Sequence, residues 1–192
     1  LFIEGGLNPS GDVLNCGESG LCIRLFSSIA ALCNRELVLT GKGSLLSRPV
    51  SMIQKPLEEL GASVTTTNGN PPLKILGPIK GGQVTVDGSI SSQFLTGLLM
   101  ALPALSKDSE IVVNKLKSKP YIDMTIDLLE AFGIEIRHTD YKIFKIKGNQ
   151  DYNCKEYWIE GDWSGASFLL VAGAIGGSIK VKGLNNSSSQ AD

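Results

Sequence analysis

The chain has 192 residues, with 18 lysines and arginines against 19 aspartates and glutamates, for a formal net charge of −1. That length suffices for a buried core, and 42% hydrophobic residues mark a globular chain rather than a disordered one. The near-neutral balance lacks the basic footprint of a nucleic-acid surface. No apolar run reaches the ~18 residues of a membrane helix, and no secretory signal opens the chain.

In chain order, the polar loop Asn15-Cys-Gly-Glu-Ser-Gly20 leads into an apolar helix predicted from Gly20 to Cys33. A strand follows over Glu36 to Thr40, and then a second helix over Pro49 to Leu60, entered through Ser47-Arg-Pro. Gly61 stands where a C′ glycine ends a helix. Further strands close the unit up to Gly77. The pattern then starts again. The helix Ser92 to Leu105 carries Phe94, Leu95, Leu98, Leu99 and Leu102 as an apolar stripe at helical spacing. A strand over Glu110 to Asn114 follows. The helix Tyr121 to Phe132 is stopped by Gly133, and strands Gly133 to Arg137 and Lys142 to Lys147 flank a polar turn at His138-Thr-Asp. A third helix from Ser164 to Ala174 and a strand over Ser178 to Lys182 open another round.

This is an internal repeat of about 71 residues. Ser47-Arg-Pro-Val returns as Ser118-Lys-Pro-Tyr, and Leu73-Lys-Ile-Leu-Gly77 as Phe144-Lys-Ile-Lys-Gly148. The expected fold is α/β (α+β): β-α-β-α-β-β units near residues 12–77 and 83–148, with a third starting near Tyr157. The opening at Leu1 without methionine and the stop at Asp192 inside a polar run are those expected of a segment of a longer protein.

Two segments place small polar residues directly before helices, where free N–H groups and the macrodipole favour an anion. Ser91, Ser92 and Gln93 offer two hydroxyls and an amide; Ser118, Lys119 and Tyr121 offer two hydroxyls and a cation. The same serines are also good N-caps, and the residues alone leave both roles open. Arg48 precedes a helix, and its planar guanidinium suits a carboxylate or phosphate. Gly17 and Gly20 allow close backbone approach to a ligand, or serve an ordinary strand-to-helix turn. Asp123 and Asp127, four apart on one helix, read as an exposed or capping pair. Cys16, Cys22, Cys33 and Cys154 form no C-x-x-C pair and His138 is the single histidine, so no metal site is expected. Buried free thiols are the reading for the cysteines.

Asp87-Gly-Ser-Ile-Ser-Ser-Gln-Phe-Leu-Thr96 and Ser118-Lys-Pro-Tyr-Ile-Asp123 resemble the signature stretches of the 5-enolpyruvylshikimate-3-phosphate synthase family. Glu160-Gly-Asp-Trp-Ser-Gly-Ala-Ser167 resembles that family's hinge segment, and Asn186-Ser-Ser-Ser-Gln-Ala-Asp192 the opening of a further one. The resemblance implies an inside-out barrel with central helices and outer sheets, six units in two domains. Residues 1–157 would hold two units of one domain, and 158–192 the hinge and the start of the other.

The activity implied is transfer of the carboxyvinyl group of phosphoenolpyruvate to shikimate 3-phosphate, without metal or organic cofactor, in a cytoplasmic and monomeric parent. Gly20, Arg24 and Arg48 match positions for phosphoenolpyruvate; Ser91, Ser92, Gln93, Ser118 and Tyr121 match positions for shikimate 3-phosphate, with Gln93 also reaching phosphoenolpyruvate. Leu21 and Leu25 depart from the family's usual threonine and proline. The acid/base residues match nothing in this chain, so the chain alone is expected to be inactive. The competing readings are the related transferase acting on UDP-N-acetylglucosamine and a non-catalytic module that binds an anionic metabolite.

Overall fold

The computed structural model describes residues 5–89, 92–153 and 156–190. Its first fourteen elements fall into two runs of one pattern. The first run is β1 (Val13–Asn15), α1 (Gly20–Ala30), β2 (Glu36–Thr40), α2 (Ser51–Glu59), β3 (Ser63–Thr67) and β4 (Asn70–Leu76). The second is β5 (Gln83–Asp87), α3 (Ser92–Ala101), β6 (Ser109–Asn114), α4 (Lys119–Ala131), β7 (Ile136–Thr139) and β8 (Ile143–Ile146). Short 3-10 turns at Gly43–Ser47 and Leu102–Ala104 complete the runs, and α5 (Trp163–Gly176) follows them.

The two sheets have the same connectivity, β1-β2-β4-β3 and β5-β6-β8-β7. In each, the first pair is parallel, with Val13 opposite Val38 and Val84 opposite Ile111. The other pairs are antiparallel. A parallel pair needs a long crossover, and α1 and α3 supply it. The strands alternate, so that Leu37, Leu39, Leu73, Ile75, Val84, Val86, Phe144 and Ile146 turn inward and their neighbours turn out. The sequence-derived β-α-β-α-β-β repeat is therefore the observed architecture.

Helices α1 and α3 meet closely. A Cβ placed on Gly97 would lie 2.5 Å from the Leu25 carbonyl oxygen and 3.0 Å from Leu25 Cα. Gly97 thus interrupts the apolar stripe of α3 because a backbone passes there. Phe94, Leu95, Leu98 and Leu99 on the same helix are all essentially fully buried, each contributing ~1.5–3 kcal/mol of burial. Helix α3 also touches α4 where the Thr96 and Thr125 hydroxyls lie 3.2 Å apart, one turn into α3 and nearly two turns into α4.

Element ends differ from the sequence reading in instructive ways. Gly61 and Gly133 do end helices, at φ of +100° and +83°. Helix α1 stops at Ala30, three residues before Cys33, and α3 tightens into a 3-10 turn over Leu102–Ala104 around Pro103, which lacks an N–H. The β7–β8 turn falls at Asp140 and Tyr141, both at positive φ, rather than at His138-Thr-Asp. Sheet register decides this, because Phe144 must face inward and Thr139 pairs with Ile143. The strand expected over Ser178 to Lys182 does not form: no strand among the described residues lies beside it to complete a ladder. Helix α5 is apolar on nearly every side, yet Phe168, Leu169, Val171 and Ile175 are exposed. Such a helix is normally enclosed.

Candidate anion-binding site

The loop after β1 is held by its own polar groups. The Asn15 side chain accepts from the Gly17 N–H at 2.9 Å, and Ser19 N–H donates to the Cys16 carbonyl at 3.0 Å. Ser19 is the N-cap of α1, its hydroxyl accepting from the Cys22 N–H at 3.1 Å. Gly20 then sits buried at the helix start. A Cβ on Gly20 would lie 3.0 Å from Arg48 Nη1 and 3.3 Å from Arg24 Nη1. The absent side chain is what lets two guanidinium groups stand over this backbone.

Arg24 and Arg48 reach that point from different elements. Arg24 is one turn into α1, half-buried, and donates to Gln93 Oε1 at 3.0 Å and to the Pro49 carbonyl at 3.4 Å. Its Nε is buried with no partner among the described residues. Burial, and then the neighbouring charge of Arg48, lower the Arg24 pKa. Arg48 follows the 3-10 turn in extended backbone, outside α2. Glu18 braces that turn: its carboxylate packs against Gly43, at φ +57°, and accepts from the Ser44 N–H at 3.4 Å. Among the described residues no carboxylate pairs with either guanidinium. Two adjacent cations without a counter-charge, beside a helix start, are suited to an anion.

The second helix pair supplies hydroxyls. Ser92 opens α3 and Gln93 follows it; both are half-buried. Ser91 lies outside the described residues. Ser118 is the N-cap of α4 by position, but its side chain makes no capping hydrogen bond. Tyr121, 39% exposed, sits in the first turn, and its carbonyl accepts from the Thr125 hydroxyl at 2.7 Å. Ser92 and Tyr121 each lie one helical turn before the touching threonines, so both helix starts open near one another.

Of the expected site residues, Gly20, Arg48 and Gln93 are drawn together around Arg24, while Ser92, Ser118 and Tyr121 lie at the adjoining helix starts. A cavity of about 440 Å3, lined by Arg137, Lys145 and Glu110 among others, lies elsewhere, on the second sheet. The residues around Arg24 form an open face instead.

Several roles were not visible in the sequence. Lys119 stands over the Tyr141 ring, 5.1 Å from its centre, and the Tyr141 hydroxyl donates to Asp123 at 2.6 Å. Lys119 and Asp123 are thus engaged with the β7–β8 turn. Asp127 accepts from the Ser189 hydroxyl at 2.7 Å, and Asp162 caps α5 through the Ser164 and Gly165 N–H groups. The Glu18 brace had no sequence signal beyond an acidic residue in a glycine-containing loop. Cys16 is only 6% exposed. Burial, followed by the Cys22 thiol beside it, pushes its pKa up to about 12, which suits no nucleophile at neutral pH.

The repeated α/β architecture is that of the enolpyruvyl transferase type of protein, as the likeness to solved structures shows. Residues 3–192 match the family model for EPSP synthase (3-phosphoshikimate 1-carboxyvinyltransferase). The chain is 41% identical over 187 residues to 3-phosphoshikimate 1-carboxyvinyltransferase of Clostridium novyi (strain NT), covering 97% of this chain and 43% of that protein. It is 46% identical over 182 residues to the protein of that name from Buchnera aphidicola subsp. Cinara cedri (strain Cc), covering 92% of this chain and 42% of that one. Among solved structures, EPSP synthase from Acinetobacter baumannii superposes with a TM-score of 0.70 at 28% identity, over 87% of this chain and 37% of that chain. The chain belongs to the EPSP synthase family, and it spans about 43% of the length of the curated relatives it matches.

Proposed function

We propose that this chain carries binding residues of an enzyme that moves the carboxyvinyl group of phosphoenolpyruvate onto a hydroxyl of shikimate 3-phosphate and releases phosphate. The observation that supports this best is the pair Arg24 and Arg48 over Gly20, joined to Gln93 by a 3.0 Å hydrogen bond. A three-carbon substrate with a carboxylate and a phosphate carries anionic groups matched to two guanidiniums. Gln93 would then stand between that substrate and a second one held by Ser91, Ser92, Ser118 and Tyr121.

The reaction adds a proton to the vinyl carbon and removes one from the acceptor hydroxyl. No residue of the site described here is placed to do either. Accordingly residues 1–157 are assigned to one domain and 158–192 to the hinge and the start of a second, which would supply those groups and cover the exposed face of α5. The parent is assigned to the cytoplasm as a monomer. Among the described residues no helix is long and apolar enough to cross a membrane.

In a full-length enzyme bearing this segment, Arg48→Ala is expected to weaken phosphoenolpyruvate binding and leave shikimate 3-phosphate binding largely intact, as read by titration calorimetry with each ligand. Equal phosphoenolpyruvate affinity in the variant and the parent would defeat the assignment. Tighter response to UDP-N-acetylglucosamine than to shikimate 3-phosphate would favour the related transferase instead.

A further inference from the structure

The two repeats close their last hairpins with different residues. Between β3 and β4, Asn68 and Gly69 take φ of +53° and +80°, the Asn-Gly pair that a type I′ turn favours. Between β7 and β8, Asp140 and Tyr141 stand at the equivalent places, with φ of +52° and +57°. The Lys142 N–H closes this second turn on the Thr139 carbonyl at 2.9 Å. Positive φ is costly for a bulky side chain. A tyrosine where the other repeat uses glycine therefore points to a task for its side chain.

That side chain reaches the start of α4. The Tyr141 hydroxyl donates to Asp123 at 2.6 Å, and the Lys119 ammonium stands 5.1 Å from the centre of the ring. The His138 ring lies 4.4 Å from that of Tyr141 and 5.3 Å from that of the buried Phe144, which links the tyrosine to the core. In the first repeat the corresponding helix residue is Ser51, six before Leu57 as Asp123 is six before Leu129. A Cβ on Gly69 would lie 3.5 Å from Ser51 Cβ, so both turns face the same point of their helix and only Tyr141 sends a side chain to it. Lys119 and Asp123, four apart, share one face of α4. Ser118, Tyr121, Ile122 and Thr125 share another, on which Ile122 and Thr125 are buried and Thr125 meets Thr96 of α3.

We propose that Tyr141 is a positioning residue for the ligand held at the α4 start: it clamps Lys119 and Asp123 from one side and so turns Ser118 and Tyr121 towards the start of α3. Ser118 makes no capping bond of its own, so the placement of the first turn of α4 decides where its hydroxyl stands. Removing the Tyr141 hydroxyl frees Asp123 to pair with Lys119, four residues before it, and releases the helix start from the turn. The bond to Asp123 also raises the Tyr141 pKa, which keeps the phenol protonated as the donor. That the ligand is shikimate 3-phosphate rests on the functional reading above; the clamp does not.

The test uses a full-length enzyme bearing this segment, titrated separately with shikimate 3-phosphate and phosphoenolpyruvate. Tyr141→Phe is expected to weaken shikimate 3-phosphate binding about tenfold and to leave phosphoenolpyruvate affinity within about twofold, as loss of a charge-assisted hydrogen bond on one side of the site implies. Tyr141→Gly, which the turn accepts, removes the ring as well and should weaken shikimate 3-phosphate further. Asp123→Ala should match Tyr141→Phe, and the double variant should be no weaker than the weaker single one, because all three lose the same bond. Asp123→Asn keeps an acceptor and should lose less than Asp123→Ala. Amide hydrogen exchange over residues 118–126 should quicken in Tyr141→Phe. Shikimate 3-phosphate affinity unchanged in Tyr141→Phe, or equal losses for both ligands, overturns the proposal. A parent that binds no shikimate 3-phosphate overturns the functional reading and the substrate role with it, while exchange at the α4 start still decides whether the clamp exists; unchanged exchange in Tyr141→Phe defeats it.

Discussion

Arg24 Nη1 donates to Gln93 Oε1 at 3.0 Å across 69 residues of sequence, tying the first helix of one repeat to the first helix of the next. This bond couples the two halves of the site. Removing the amide leaves a half-buried guanidinium with one partner fewer. In a full-length enzyme bearing this segment, Gln93→Ala is expected to weaken binding of both substrates, by ~1–3 kcal/mol for a hydrogen bond to a charged group. Titration with each ligand separately checks it. A loss confined to one ligand would show that Gln93 does not bridge the two.

The helix contact beneath that bond depends on Gly97. Gly97→Ala puts a methyl 2.5 Å from the Leu25 carbonyl oxygen, and the neighbour is backbone, which yields less readily than a flexible side chain. The expected cost is ~1–3 kcal/mol, typical of overpacking, despite the higher helix propensity of alanine. Urea unfolding of the two proteins decides it; an unchanged or raised midpoint would mean that α1 and α3 can separate freely.

Two helix starts should answer oppositely to the same kind of change. Asp162 accepts from two N–H groups at the start of α5, so Asp162→Ala is expected to lower stability by ~0.5–2 kcal/mol. Ser118 makes no capping bond, so Ser118→Ala should leave stability nearly unchanged while weakening shikimate 3-phosphate binding. Thermal melts paired with ligand titration separate the two. Loss of stability without loss of binding in Ser118→Ala would return that serine to a capping role.

The buried thiol of Cys16 gives a pH dependence with a definite sign. Its pKa is raised from 9.0 when unfolded to about 12 when folded, chiefly by burial. The folded state therefore holds the proton more tightly than the unfolded state between those values. This contribution is fully present below pH 9 and is lost as pH rises from 9 towards 12. Urea midpoints of the reduced protein are expected to decline over that window, less steeply in Cys16→Ala. In the native protein near neutral pH, iodoacetamide should label Cys22 well before Cys16; equal labelling would contradict the burial.

The sequence by itself determined the repeat, its element order and the kinds of residue at each helix start. Apolar spacing along a helix, alternation along a strand and a stop glycine such as Gly61 or Gly133 are local signals, and each survives being read one segment at a time. Ser47-Arg48 and Ser118-Lys119 illustrate the limit of such reading. They are counterparts in the repeat, yet Arg48 stays in extended backbone and meets Gly20, whereas Lys119 enters α4 and is drawn over Tyr141. Which one stands over Gly20 depends on where the helix begins and on a ring delivered by a distant turn.

The same holds for Gly97, whose need for a missing side chain comes from Leu25 on another helix, and for Ser178 to Lys182, whose strand pattern finds no ladder partner among the described residues. The tertiary structure alone decided that Arg24, Arg48 and Gln93 converge, because packing α1 against α3 sets the distance between groups that lie far apart in the chain. Local propensity carries no information about that distance; it is fixed by the core, where a backbone can approach another only at a glycine.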